Sequence, residues 1–126
     1  MRGLFLVIYK LHCLDSIRAV IYKLHMIEIR QTEVFQKWFA GLKDRRANQI
    51  IAKRLVRIEA GLMGDTKSVG EGVSEVRINY GPGYRLYFTR RGQTVIVLLC
   101  GGDKGSQARD IRAAQNMEKE IEHEDN

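Results

Sequence analysis

The stretch VSEVRINYGPGYRLYFTRRG, residues 73–92, alternates apolar with polar side chains on both sides of a glycine-rich turn. Because successive side chains of a strand point to opposite faces, this alternation predicts a two-stranded hairpin. Its apolar face would hold Val76, Ile78, Leu86 and Phe88. Its other face would hold Glu75, Arg77, Arg85, Tyr87 and Thr89. Two guanidinium groups on one face can bind a phosphate through forked N–H donors.

Two lysines flank this hairpin. Lys67 precedes it, and Lys104 follows the next strand in the glycine-rich segment GGDKGS. That segment leads into a helix, whose first N–H groups also favour an anion. Lys67, Arg77, Arg85 and Lys104 are therefore expected to face one concavity suited to a phosphate. The alternative is an ordinary solvated sheet face with Glu–Arg pairs across strands.

Three further side chains have candidate roles at this concavity. Tyr87 could stack on a nucleic-acid base or lie at the rim of the core. Asp103 or Glu75 could act as a general base, although either could equally be an ion-pair partner. Arg77 and Arg85 are the expected stabilisers of charge on a phosphate, and Lys104 could assist them or donate a proton.

Charge and composition narrow the class of protein. The 126 residues carry a net charge of +6, which suits a polyanionic partner such as nucleic acid, although a basic surface without a partner is also possible. No apolar run reaches the roughly 18 residues of a membrane span. Cys13 and Cys100 form neither a metal-binding spacing nor a disulfide framework. We expect a cytoplasmic protein without metal or cofactor.

The first 25 residues differ from the rest. The hexapeptide VIYKLH occurs at 7–12 and again at 20–25, a spacing that puts the copies on opposite faces of either a helix or a strand. Met26 follows directly and opens a good strand. We therefore expect residues 1–25 to be a translated upstream extension and residues 26–126 to form the domain. The alternative is a genuine extra strand or helix.

The elements from Met26 onward predict an α+β fold. A strand at 27–30 leads into two helices capped by Thr32 and Asp44, the second with Leu62 as its last inner residue. After the hairpin, residues 94–100 form a strand covered on both faces, residues 101–110 form a loop, and a last helix starts near Ser106 and frays after about Glu120. We expect an N-terminal strand and an antiparallel helix pair packed on a small antiparallel sheet, with a C-terminal helix. The arginine-bearing face should stay exposed.

The segments GDTKSVGEGVSEVRINYGPGYRLYFTRRG and LLCGGDKGSQARDI, with the helix pair before them, resemble the RelE/ParE superfamily of toxins. The specific resemblance is to the phage-derived Gp49-like addiction-module killer proteins related to HigB, and it runs from about Met26 to Glu120. It implies a RelE-like fold and the toxin of a type II toxin–antitoxin system. The implied partners are a helix-turn-helix antitoxin encoded by a neighbouring gene, the ribosome and mRNA.

Many of these relatives cut mRNA in the ribosomal A site, whereas others inhibit DNA gyrase without cutting. The resemblance assigns phosphate binding to Arg85 of the GYR stretch, to Arg77 and to Lys104. Glu75 stands where RelE has a lysine, and Asp110 and Ile111 lie near the position of its catalytic tyrosine. The histidines used by HigB-type enzymes have no counterpart in the sheet, since the chain has only His12, His25 and His123. Three functions stay open: a metal-independent endoribonuclease, a gyrase inhibitor and a simple nucleic-acid-binding module.

Overall fold

The computed structural model describes the backbone of residues 26–125 and the side chains of residues 26–121. The predicted N-terminal extension, 1–25, lies outside the described residues. In chain order the elements are β1 (Glu28–Gln31), α1 (Glu33–Ala40), α2 (Arg45–Glu59), β2 (Thr66–Gly70), β3 (Val73–Ile78), β4 (Tyr84–Arg91), β5 (Val95–Asp103), a 3₁₀ turn (Lys104–Ser106) and α3 (Gln107–Asp125). No helix in this part of the chain is both long and apolar enough to cross a membrane.

The strands form one sheet in the order β1-β5-β4-β3-β2. Strands β2 to β5 are an antiparallel meander, as predicted. The expectation of a wholly antiparallel sheet is wrong at β1, which runs parallel to β5 with Glu28 opposite Val95. The helix pair carries the chain across the sheet from β1 to β2 at the far edge, and the meander then returns to β1. This parallel pair gives β5 a neighbour on each side.

Both predicted helix caps are confirmed. The Thr32 hydroxyl accepts a hydrogen bond from Phe35 N at 3.1 Å, and the Asp44 carboxylate accepts bonds from the N–H groups of Arg46 and Ala47. These bonds satisfy backbone donors that have no partner inside the helix. α2 ends at Glu59, so Leu62 lies outside it and its predicted inner position is wrong; Leu62 is 64% exposed.

The sheet is covered on both faces. The α1 and α2 side holds an apolar core that includes Val76, Ile78, Leu86 and Phe88, as predicted for this face. The other side is covered by α3 through its inner stripe, whose members are Ile111, Ala114, Met117 and Ile121. The expected exposure of the arginine-bearing face is therefore wrong: Glu75 and Tyr87 are fully buried there.

The predicted loop at 101–110 is also wrong, because β5 continues through Gly101 and Gly102 to Asp103. A Cβ at Gly101 would overlap the indole ring of Trp38, and one at Gly102 would overlap the carboxylate of Asp110. Glycine here allows α1 and α3 to approach the strand from opposite faces. α3 begins at Gln107 and extends to Asp125, beyond the predicted fraying point.

Candidate functional site

Strand pairing brings the predicted site residues into two rows on the α3 side of the sheet. Arg77 on β3 lies opposite Arg85 on β4, and Arg85 lies opposite Gly102 on β5. In the next row, Glu75 lies between Lys67 on β2 and Tyr87 on β4. Like charges directly opposite each other repel. The arginine pair therefore needs a neighbouring anion.

Glu75 is that anion. One of its carboxylate oxygens, Oε1, accepts a hydrogen bond from Arg77 Nε at 2.9 Å and lies 3.9 Å from Arg85 Nε. The other oxygen accepts a bond from Gln107 Nε2 of α3 at 2.8 Å. Burial alone would raise the pKa of Glu75, but the hydrogen bonds from Gln107 and Arg77 outweigh it and lower the pKa. Glu75 is thus an ionised, buried group between two arginines, which does not suit the predicted role of general base.

The two arginines differ in what they can offer a ligand. Arg85 is only 8% exposed, and its Nη1 donates to the carbonyl oxygens of Gly83 and Tyr84, both at 3.1 Å. The side chain of Arg77 is 33% exposed and is tied to Glu75 through Nε. Within the described residues the two Nη groups of Arg77 make no hydrogen bond. Arg77 is therefore the guanidinium whose two Nη groups are available to a ligand, whereas Arg85 is held by the backbone beside it.

Lys104 lies beside Arg85. A Cβ added at Gly83 would be 3.5 Å from both Arg85 Nη1 and Lys104 Cβ, so the two side chains meet at this glycine. Lys104 is exposed and has no ion-pair partner in the part of the chain that the structure describes. Lys67 is also exposed, but it lies on the edge strand β2, with β3 and β4 between it and β5. Arg77 and Arg85 lie opposite each other, and Lys104 lies beside Arg85. Lys67 lies one strand from Arg77, in the next row, opposite Glu75.

Two other predicted residues have structural positions. The Asp103 carboxylate accepts hydrogen bonds from Gly105 N and Ser106 N and so caps the 3₁₀ turn. The Tyr87 ring is fully buried, so it offers no surface for the predicted stacking on a base. Burial, and then the nearby charge of Glu75, raise the pKa of Tyr87 well above its ordinary value. Neither residue is placed to contact a substrate directly.

Sequence reasoning missed Gln107 and Asp110. Gln107 fixes the second oxygen of Glu75, and its only signal in the sequence is its place at the start of a helix. Asp110 accepts a hydrogen bond from Ser106 Oγ at 2.5 Å and lies over Gly102, in the row of the two arginines. Together they anchor the first turn of α3 to the site. Among the described residues, no three His, Cys, Asp or Glu side chains are grouped to hold a metal ion.

This sheet with helices on both faces is a RelE-like fold. The chain superposes on the free state of an Escherichia coli RelE toxin mutant, in which two arginines are replaced by alanine, with a TM-score of 0.54. The two are 16% identical, and the alignment covers 71% of this chain and 94% of the RelE chain.

A sequence relative defines the family. The chain is 41% identical over 95 residues to an uncharacterized protein of Haemophilus influenzae, covering 75% of this chain and 96% of the relative. The chain belongs to the same family as that protein. No protein-family profile matches the chain.

Proposed function

We propose that this protein is the toxin of a type II toxin–antitoxin system and cuts mRNA on the ribosome. The observation that carries the proposal is Arg77, whose fork is free while buried Glu75 fixes its Nε. Arg85 and Lys104 add positive charge beside it. The RelE-like fold and the resemblance of the strand motifs to RelE/ParE and HigB-related toxins support the same function.

The proposed reaction is attack of a ribose 2′-OH on the adjacent phosphate. A 2′,3′-cyclic phosphate forms as the bond to the 5′-oxygen breaks; the 2′-OH proton passes to solvent, and the 5′-oxygen gains a proton as it leaves. Negative charge grows on the phosphate in the transition state, and preorganised cations stabilise it. Arg77 would bind two phosphate oxygens, and Lys104 would neutralise or protonate the leaving oxygen. Glu75, Asp103 and Tyr87 are occupied or buried, so the ribosome would supply the reactive geometry of the mRNA. The reaction requires no metal or other cofactor.

The proposed partners follow from this activity. A toxic basic site in the cytoplasm needs a neutralising protein, and we propose a helix-turn-helix antitoxin encoded by a neighbouring gene. Production of this chain alone should arrest growth, and co-production of the neighbour should restore it. Normal growth without the neighbour would contradict the toxin assignment.

The test of cleavage is to induce the protein in cells and map mRNA 5′ ends. We expect Arg77→Ala to lower cutting about a hundredfold, as expected when one donor to the transition state is lost. Arg30→Ala is the matched control, since Arg30 also pairs through Nε with a glutamate two residues earlier, Glu28, but on β1. Full cutting by Arg77→Ala, or growth arrest with intact mRNA, would refute the proposal.

A second candidate is a non-enzymatic inhibitor of DNA gyrase. It is favoured by the burial of Glu75 and Tyr87, which leaves neither side chain accessible as a general acid or base. This function predicts altered plasmid supercoiling and DNA damage after induction, with mRNA left intact. Normal supercoiling in arrested cells would exclude it.

A further inference from the structure

Helix α2 is a strongly basic element of the fold. Between Arg45 and Glu59 it has five basic residues and one acidic residue, a net +4, against +6 for all 126 residues. None of the five makes an ion pair within the part of the chain that the structure describes; the pairs found there involve other side chains. The candidate site at β3 and β4 accounts for none of this charge.

Three of these residues form a single row. Arg46, Lys53 and Arg57 are exposed and are spaced at i, i+7 and i+11, which places them within an arc of about 40° around the helix axis. The row is about 16 Å long at the helical rise of 1.5 Å per residue. Glu59, the helix's acidic residue, lies about 200° from Arg57 on the opposite flank. A row of this kind presents positive charge without an internal counterion.

The row lies on the opposite side of the sheet from Arg77. It starts at the N-terminus of α2, where Asp44 accepts a hydrogen bond from the Tyr80 hydroxyl at 2.9 Å. Tyr80 belongs to the turn between β3 and β4, so this bond links the start of α2 to the hairpin that carries Arg77 and Arg85. The helix on the site's own side, α3, has three basic and six acidic residues, a net −3. A nucleic-acid segment bound by α2 would therefore be different from the segment bound at Arg77.

We propose that this α2 row binds the phosphate backbone of double-stranded RNA. A rigid row of cations suits evenly spaced phosphates, which bind lysine and arginine irrespective of sequence. α2 contains no aromatic residue, so it lacks the stacking surface typical of single-strand binders. The choice of RNA over DNA rests on the proposed function. The binding of a polyphosphate backbone by this row does not rest on that function.

The test compares two variants of equal charge change. Lys53→Gln/Arg57→Gln removes two members of the row, and the control Arg112→Gln/Lys119→Gln removes two exposed charges from α3. The probe is a 20-base-pair RNA duplex of mixed sequence, with affinity measured from 50 to 200 mM salt. Each lost contact should reduce the log–log salt slope by about 0.9, so the α2 variant should bind about sixtyfold more weakly at 0.1 M salt. The control should bind like the parent protein.

A second arm identifies the nucleic acid in cells. In an Arg77→Ala background, which should not cut RNA, ultraviolet crosslinking should recover ribonuclease-sensitive material that the α2 variant loses. Unchanged duplex affinity of the α2 variant, or deoxyribonuclease-sensitive crosslinks, would overturn the proposal. So would an α2 variant that keeps RNA affinity but loses the antitoxin, which would assign the row and the exposed Val56 beside it to a protein partner. All these readouts are independent of whether the protein cuts mRNA.

Discussion

The two faces of the sheet are both buried, but by different chemistry. On the α1 and α2 side the strands contribute Val76, Ile78, Leu86 and Phe88 to an apolar core. On the α3 side the same two strands bury a charged group, Glu75, with Arg85 and the Tyr87 hydroxyl. Apolar packing is non-directional, whereas hydrogen bonds to a buried carboxylate fix the direction of each donor.

This difference bears on why the charged cluster exists. A buried ion pair is often no more stabilising than apolar residues of the same volume, because desolvation offsets the attraction. Stability alone therefore does not explain Glu75. Its contacts orient Arg77 and hold it beside Arg85, which is what a phosphate site requires. On the α3 side the apolar residues under the helix stabilise the fold, and the charged cluster fixes the direction of the arginine side chains.

The largest expected effect comes from equal-volume substitutions on the two faces. Glu75→Gln removes the charge that neutralises Arg77 and Arg85, so it should lower the free energy of unfolding by about 3–5 kcal/mol. Leu86→Met on the other face should cost less than about 1.5 kcal/mol. Urea denaturation of both variants measures the difference. Equal losses of unfolding free energy would mean that the charged cluster tolerates an equal-volume substitution as well as the apolar core does.

Acid titration sharpens the same comparison. Because the pKa of Glu75 in the folded protein lies below its ordinary value of 4.5, its contribution to stability is present above that pH and is lost as the pH falls further. The parent protein should therefore lose stability below about pH 4.5 more steeply than Glu75→Gln. Parallel pH profiles for the two proteins would show that the Glu75 pKa is not depressed by folding.

Removal of Arg85 should affect both stability and activity. The sequence predicted a surface residue, but Arg85 is buried and donates to two backbone carbonyls. Arg85→Ala removes both of these hydrogen bonds and should cost about 2–4 kcal/mol. Toxicity should also fall, since Arg77 and Lys104 lose the residue between them. A variant with the parent's melting temperature would show that the carbonyl bonds contribute little.

Substitution of two adjacent glycines by alanine compares how well each face of the sheet tolerates one added methyl group. Gly101→Ala places a Cβ against the Trp38 ring of the apolar core and should cost about 1–3 kcal/mol. Gly102→Ala meets the tip of the Asp110 side chain, which can rotate, so it should cost less. Thermal unfolding of both variants ranks them. The reverse order would mean that the Ser106–Asp110 hydrogen bond is more rigid than the aromatic packing.

The reactivity of a buried cysteine, which changes no stability, tests whether water reaches the α3 side. Burial, and then the charge of Asp110, raise the pKa of Cys100 from 9.0 to about 12. In a Cys13→Ser background at pH 8, the thiolate should be about a thousandfold scarcer than for an unshifted thiol, so labelling should be slow until denaturant is added. Fast labelling of the native protein would show that water reaches this face.

The strands and caps could be predicted because their causes are local. Alternation assigns Leu86 to the core and Arg85 to the opposite face, and Thr32 and Asp44 cap helices through neighbouring N–H groups. What covers the Arg85 face is not local. The inner stripe of α3 shows that the helix packs on something, but not on which side of the sheet. A glycine such as Gly101 predicts a loop when only the sequence is considered. In the structure it lies in β5 because the Trp38 ring packs against it.

The sequence predicts which residues make up the candidate site, but not which of them is most accessible to a ligand. Lys67, Arg77, Arg85 and Lys104 were expected at one concavity. The structure places Arg77 opposite Arg85 and Lys104 beside Arg85, and their role at a phosphate site stays a prediction. Their order of accessibility depends on Glu75, which reads as an ordinary surface partner in the sequence. Its burial and its bond to Gln107 come from the docking of α3, a contact between residues 32 positions apart.

The parallel pair of β1 and β5 also determines the order in which the chain can fold during synthesis. β1 is made before the other described strands, but its partner is the last of them: Thr32 and Leu99, joined by a 2.6 Å hydrogen bond, are 67 residues apart. Pairings of such separation must overcome loop-closure entropy and form slowly. The sheet can therefore close only once β5 has left the ribosome. A nascent chain that stops short of Val95 has neither the strand that joins β1 to β4 nor Lys104, so it lacks part of the proposed phosphate site.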